Sequence, residues 1–342
     1  MKTAVITGVT GQDGAYLAKT LLDKNYRVVG LFRRTSSVNF WRIENLGVID
    51  HPNLTLEEHD MLDMGSSIRV LKKWQPNEVY NLAAQSFVGV SFEQPILTSQ
   101  VSGLGALNLL EAIRICDPSI RFYQASTSEM FGNAQEVAQN EETPFHPRSP
   151  YAVAKLLAHW STVNYRESYG MFAASGILFN HESPLRGEEF VTRKITSSLA
   201  RIASGSKETL ELGNLDAKRD WGYAGDFVEG IWRILQAENP ETFVLSTGKT
   251  HSVRDFLTLS ANYAGFKLVF SGSGVDEQAI DASSGRVIAT VSPDFFRPAE
   301  VEVLLGDSSK ARNQLGWEHK VSLEQLSKMM VDHDMKISGN RP

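Results

Sequence analysis

The sequence predicts an α/β protein, a doubly wound parallel sheet with a smaller C-terminal α/β lobe. Three observations carry that expectation. A short β-branched run, Thr3-Ala-Val-Ile-Thr7, leads into Gly8-Val-Thr-Gly11-Gln-Asp-Gly14, and a helical pattern with Leu17, Leu21 and Leu22 comes at once after it. Strand-like apolar runs then alternate with helical patterns as far as Phe179. Beyond Asn180 the alternation weakens, and Arg and Lys recur among Gly and aromatic residues. Strands alternating with helices imply right-handed crossovers and a parallel, Rossmann-like sheet. The expected boundaries are 1–180 for the dinucleotide-binding unit, with a returning segment near 220–250, and 181–336 for the second lobe.

The elements can be justified in order. Gly8 permits a tight turn, Gly11 lets backbone approach a pyrophosphate, and Gly14 allows close helix–strand contact. Thr10, Gln12 and Asp13 fill the same turn, where the helix N-terminus favours anions, although Gln12 and Asp13 can equally serve as helix caps. Tyr26–Phe32 reads as the second strand, with Arg33, Arg34 and Ser36 just after it. A carboxylate at this strand end binds a ribose 2′-hydroxyl, whereas an arginine accommodates a 2′-phosphate. Two arginines with no acid until Glu44 therefore favour NADP over NAD, the alternative being a solvated basic loop. Leu54–His59 forms a third strand ending at Asp60-Met61, and Ile68–Trp74 is amphipathic. Glu78–Ala84 reads as a fourth strand, so Leu82, Ala83, Ala84, Gln85 and Ser86 surround a tip where small residues let a cofactor pass close to the backbone. Helices over 104–115 and from Tyr151 to about Tyr169 flank strands over 121–127 and 172–179. Phe227–Gln236 is helical, and Phe243–Ser246 is a strand able to return to the main sheet. The Gly/Ser/Asp-rich segment 271–285 is expected to be an exposed loop. Helical patterns over 308–315 and 322–334 close the chain, the last opened by a capping box at Ser322 and Gln325, with a frayed tail after Lys336.

The formal charge of −6 argues against sequence-independent nucleic-acid binding, which needs a basic surface. A single cysteine, Cys116, excludes an intrachain disulfide and suits a reducing compartment. Without a leader pattern or a long apolar run, the expectation is a soluble cytoplasmic protein with no membrane span. No metal site is expected, because His, Cys and Asp show no ligand spacing.

The chemistry concentrates in Ala125-Ser-Thr127-Ser128-Glu129-Met-Phe-Gly132 and Tyr151-Ala-Val-Ala-Lys155. The first lies at the C-terminal end of a parallel strand, where ligands bind. Tyr151 and Lys155, four residues apart, share a helix face. A free tyrosine, with a pKa near about 10, is a poor base, and a nearby ammonium favours its phenolate. Lys155 can also hold a cofactor ribose.

These motifs, with Pro147-Arg-Ser-Pro150, Leu178-Phe-Asn-His-Glu-Ser-Pro184, Phe190-Val-Thr-Arg-Lys-Ile195, Lys218-Arg-Asp-Trp-Gly222 and Phe296-Arg-Pro-Ala-Glu-Val-Glu302, resemble the extended short-chain dehydrogenase/reductase superfamily of nucleotide-sugar enzymes. Within it they resemble the GDP-mannose 4,6-dehydratase family over nearly the whole chain. The resemblance implies a hydro-lyase that uses NADP as a recycled cofactor. It oxidises C4 of the hexose, eliminates water across C5 and C6 and returns hydride to C6. It implies that Thr127 and Tyr151 hold the C4 hydroxyl, with Tyr151 as base, and that Glu129 removes the C5 proton. Where dTDP-glucose dehydratases have an aspartic acid, this chain has Ser128 at the catalytic position, so the acid for the C6 oxygen stays open, with Glu129 able to do both jobs in sequence. Adenine contact is implied for Asp60 and Met61, and cofactor-side positions for His181 and Arg186. Asn180, Lys194, Arg219 and Ser86 are implied to meet the sugar nucleotide, with Arg297 and Glu300 at its ribose. A homodimer or homotetramer is implied, with the Arg33–Asn39 loop reaching a neighbouring subunit. The alternatives are a GDP-4-keto-6-deoxy-sugar reductase and a GDP-heptose 4,6-dehydratase.

Overall fold

A computed structural model describes residues 1–37, 39–134, 138–296 and 303–339 of the chain. The chain opens with β1 (Thr3–Thr7), α1 (Gln12–Asp23), β2 (Arg27–Phe32), a short α2 (Trp41–Asn45), β3 (Leu54–Glu58), α3 (Met64–Trp74) and β4 (Glu78–Asn81). After α4 (Val88–Glu93), one long helix runs through α5 (Pro95–Ser99), a π-helical turn at Gln100–Leu104, and α6 (Gly105–Cys116). Next in the chain are β5 (Arg121–Thr127), α7 (Pro150–Tyr169) and β6 (Ala173–Leu178). Then come β7 (Asn180–Glu182), α8 (Val191–Ala203), β8 (Leu210–Leu212), β9 (Lys218–Arg219), β10 (Trp221–Tyr223), α9 (Ala224–Gln236) and β11 (Thr242–Leu245). The remainder is β12 (His251–Ser252), α10 (Val253–Tyr263), β13 (Leu268–Ser271), β14 (Gln278–Asp281), β15 (Val287–Val291), α11 (Ser309–Leu315) and α12 (Leu323–Gly339).

The main sheet has the order β11-β6-β5-β4-β1-β2-β3, and all its strands are parallel. Its strands are apolar runs because helices cover both faces. α1 and α9 pack on one side around Leu17, Phe227 and Ile231, while α3 and α6 pack on the other around Val70 and Leu110. The chain reverses direction across the sheet between β1 and β4, and a crevice opens beyond their C-terminal ends. The Thr242–Leu245 strand does return to this sheet, beside β6. A second core, around Leu199, Phe256 and Met330, joins α8, α10 and α12 to the four-stranded sheet β13-β14-β15-β8.

Several elements differ from the sequence reading. The fourth strand ends at Asn81, not Ala84, because the Thr7 hydroxyl accepts the N–H groups of Leu82 and Ala83 and draws the chain out of the ladder. Segment 271–285 is no loop, since it contains β14 and closes two antiparallel pairings. Its Gly, Ser and Asp residues make the turns at the strand ends. The last helix extends to Gly339, and its Ser322/Gln325 capping box is present in both directions. The span Pro95–Cys116 is long and apolar enough to cross a membrane, a property the sequence reading overlooked, and half of it is buried in the fold. It contacts α3 and α7, as a core helix would.

Candidate active site

The crevice is a cleft of about 670 Å³. At its floor Gly8 adopts a positive φ of 71°, and a Cβ there would stand 2.9 Å from Ala83 Cα. A Cβ on Gly14 would lie 2.3 Å from the Gly8 carbonyl oxygen, so α1 can pack this closely only without one. Among the described residues no side chain caps α1 at Gly11, which leaves first-turn N–H groups available to an anion. Such a cradle fits a dinucleotide.

Gln12 and Asp13 do not cap the helix. Gln12 donates to the His181 carbonyl and accepts from the Ser183 hydroxyl, tying the glycine turn to β7. Asp13 meets His181 Nε2 at 2.8 Å, and the imidazole stacks on Phe227. Burial disfavours both charges, but the attraction between them prevails, holding Asp13 down at about 2 and raising His181. His181 is thus a satisfied residue, with its other nitrogen 2.7 Å from the Phe179 carbonyl oxygen.

Thr127 ends β5, and its hydroxyl accepts the Glu129 N–H at the start of a 3₁₀ turn. That turn buries both Ser128 and Glu129 against the cleft. α7 starts with Ser149 as N-cap and Pro150 in its first turn, which fixes Tyr151 and Lys155 facing the strand end. Burial raises the Tyr151 pKa; the hydrogen bond with Thr127 and the Arg186 charge oppose that shift, while the Glu129 carboxylate reinforces it. Lys155 donates to the Ala125 carbonyl at 2.9 Å, and burial lowers its pKa to about 8. The expected arrangement, in which Lys155 depresses the tyrosine, is therefore not the one found. The ammonium lies 5.9 Å from the ring centroid and is directed at the strand backbone.

Of the residues singled out in the sequence, Gly8 through Gly14 (Val9 aside), Arg33, Asp60, Met61, Leu82–Ser86, Thr127–Glu129, Tyr151, Lys155, Asn180, His181 and Arg186 all line this one cleft. Asn180 Oδ1 is buried there without a hydrogen-bond partner among the described residues, as a group awaiting a ligand would be. Arg186 lies over the Phe190 ring and 3.2 Å from Glu182. Arg34 and Ser36 are exposed beyond the lining. Lys194 on α8 and Arg219 on β9 belong to the second unit and do not line it either. Lys194 sits over the Phe295 ring, and Arg219 is buried. Arg297 and Glu300 lie outside the described residues.

The sequence reading missed Val101, Phe87 and Glu189, which also line the cleft, and Arg42, whose guanidinium bridges the carbonyls of Thr10 and Leu185. It also missed His159, one turn beyond Lys155, which pairs with Ser126 at 2.9 Å. Its i+4 spacing from Lys155 was the one available signal.

The parallel sheet, the glycine cradle and the Thr127–Tyr151–Lys155 cluster in one cleft define an enzyme of the extended short-chain dehydrogenase/reductase type. The family model described as GDP-mannose 4,6 dehydratase matches residues 5–330. A GDP-mannose 4,6-dehydratase of Sinorhizobium fredii is 53% identical over 346 residues, covering 99% of both chains. One from Yersinia enterocolitica is 52% identical, covering 98% of this chain and 94% of its own. Among solved structures, RMD from Pseudomonas aeruginosa, complexed with NADPH, superposes with a TM-score of 0.77 at 22% identity, covering 98% of this chain and 100% of its own. The chain belongs to the GDP-mannose 4,6-dehydratase family.

Proposed function

We propose that the protein converts GDP-mannose to GDP-4-dehydro-6-deoxy-mannose, with NADP held along the glycine turn, Arg33, Asp60-Met61 and the Leu82–Ser86 wall. Family membership supports the activity, and the observation that carries the mechanism is the buried Glu129 carboxylate beside Tyr151 in a single cleft. Bound NADP would supply a hydride acceptor at C4 and the donor of that same hydride at C6. The chain supplies the proton handling. Tyr151, hydrogen-bonded to Thr127, takes the proton of the C4 hydroxyl. Its elevated pKa makes it a strong acceptor once deprotonated, and the nearby cation Arg186 favours that form. With C4 a ketone, the C5 hydrogen is acidic enough for Glu129 to remove. The protonated Glu129 then delivers the proton to the departing C6 oxygen, because Ser128 is not acidic enough to do so. Asn180, Lys194, Arg219 and Ser86 are assigned to the sugar nucleotide, with Arg297 and Glu300 beside its ribose.

The test is incubation of purified protein with GDP-mannose and catalytic NADP, tracking sugar mass and NADPH absorbance. Loss of one water without net NADPH change is expected. Glu129→Gln should lower turnover by about 10²–10⁴-fold, the usual value of a positioned acid–base group. Net NADPH consumption on a 4-keto sugar, with GDP-mannose unchanged, would overturn this in favour of a reductase.

We also infer a homo-oligomer in a cytoplasmic setting. Ile96, Leu104 and Ile115 on the long helix and Val153, Leu157 and Trp160 on α7 leave large apolar side chains exposed on two adjacent helices, a surface suited to a second copy.

A further inference from the structure

The long helix Pro95–Cys116 is interrupted only by the π turn Gln100–Leu104. A π turn accommodates an extra residue, so every later position is rotated by about 100° from its place in a regular helix. The consequence here is specific, because neighbouring positions of the turn face different parts of the active site. Ser102, 2% exposed, accepts the Gln85 N–H at 3.1 Å through its hydroxyl. Gln85 belongs to the cleft wall, which Thr7 grips from the other side through Leu82 and Ala83. One residue on, Gly103 faces α7. A Cβ there would lie 3.2 Å from the Ala154 carbonyl oxygen and 3.0 Å from Leu157 Cδ2, residues that bracket Lys155 one turn after Tyr151. At the end of the turn Gly105 abuts Met61, whose Cβ would stand 2.9 Å from a Cβ placed on the glycine. Val101 lines the cleft itself.

We propose that this π turn is a positioning element, in which Ser102 sets the cofactor-facing wall at Gln85 and Gly103 sets the depth at which α7 presents Tyr151 and Lys155. A regular helix cannot keep the contacts on both sides of the turn, Thr98 with Gln85 before it and Gly105 against Met61 after it, because removing the extra residue rotates one set by about 100° relative to the other. The inference rests on the reading of the cleft as an NADP site.

The experiment separates the two sides of the turn. Wild type, Ser102→Ala and Gly103→Ala are titrated with NADPH by calorimetry and assayed for GDP-mannose turnover, with thermal midpoints recorded alongside. Ser102→Ala removes one hydrogen bond to the wall, so the NADPH dissociation constant should rise about fivefold, by more than kcat falls. Gly103→Ala displaces the helix bearing the acid–base residues, so kcat should fall about tenfold, by more than binding weakens. A structural role alone would lower binding, turnover and thermal midpoint together in both variants, and that result overturns the proposal. So does wild-type NADPH affinity in Ser102→Ala, which decides the matter by itself if Gly103→Ala fails to fold. Failure of wild type to bind NADPH would instead overturn the functional reading.

Discussion

Replacing Asp334 by asparagine probes how the C-terminal helix holds the cleft. Asp334 is 2% exposed and accepts from Arg193 Nε at 3.0 Å, from Arg193 Nη2 at 2.5 Å and from the Thr196 hydroxyl at 2.7 Å. The same guanidinium donates to the carbonyls of Pro184 and Arg186, so one ion pair joins α12, α8 and the loop that brings Arg186 into the cleft. An asparagine keeps one acceptor but turns an N–H₂ toward a buried guanidinium that has lost its counter-charge. Breaking a buried pair in this way costs about 3 kcal/mol or more. With a urea dependence of about 3 kcal/mol per molar, the unfolding midpoint should fall by about 1 M. The loss should persist in roughly 0.5 M salt, because a pair this deep is poorly screened. NADPH binding should weaken as well, since the 184–186 loop loses its anchor. An unchanged urea midpoint, or a difference abolished by salt, would refute the reasoning.

The Asp13–His181 pair has one carboxyl held below its ordinary 3.8 and one imidazole raised above 6.5. The Asp13 contribution to stability is present above 3.8 and lost as pH falls toward 2, while the His181 contribution is present below 6.5 and lost as pH rises above it. The stability difference between wild type and His181→Gln, read by urea unfolding, should therefore peak between about pH 4 and 6.5 and shrink on either side; a difference that grows above about pH 8 would contradict the pairing. At the apolar helix face, Trp160 is 53% and Val153 54% exposed. Trp160→Glu combined with Val153→Lys should shift sedimentation toward the monomer, and an unaltered assembly would show that the copies meet elsewhere.

What could be read from the sequence was local in sequence. The Gly8–Gly14 turn, Thr127 at its strand end and the Tyr151/Lys155 pair each lie within a few residues, so strand and helix periodicity alone placed them. The π turn had no such signal, because nothing in the run Gln100–Leu104 marks an extra residue, which shows in distant contacts such as that of Ser102 with Gln85, 17 positions earlier in the chain. The Arg193–Asp334 pair spans 141 positions and was equally hidden. In segment 271–285 composition pointed to turns and was right about them. Gly272, Gly274 and Gly285 all take positive φ, and the Asp281 carboxylate accepts from Ser283 and Ser284. It was silent about the four-residue strand between, which is stabilised by pairing with β13 and β15 rather than by its own propensity. The second unit was blurred for a related reason. Its strands have two to five residues, too short for alternation to register.

Charge and shape act together in the cleft. Burial acts on Tyr151 and Lys155 in opposite directions on the pKa scale but to the same end, since it opposes the phenolate of one and the ammonium of the other. Glu129 adds to the resistance of Tyr151, while Arg186 and the Thr127 hydrogen bond work against it. The phenolate that C4 oxidation requires is therefore a strong proton acceptor in this cluster, and the lysine, at about 8, can exchange its proton near neutral pH. That suits a reaction in which C4 is first oxidised and no net redox change remains at the end. In the proposed mechanism, the proton taken at C4 and the proton moved from C5 to C6 pass through separate groups, Tyr151 and Glu129. These stand close enough for the carboxylate to oppose ionisation of the phenol. Neutralising Glu129 as it takes the C5 proton removes part of the force that keeps Tyr151 protonated, so the two proton transfers are coupled through the field between them. A reductase needs only the tyrosine half of this arrangement. In the proposed mechanism, the buried carboxylate at the end of β5 is the group that adds elimination to oxidation and reduction.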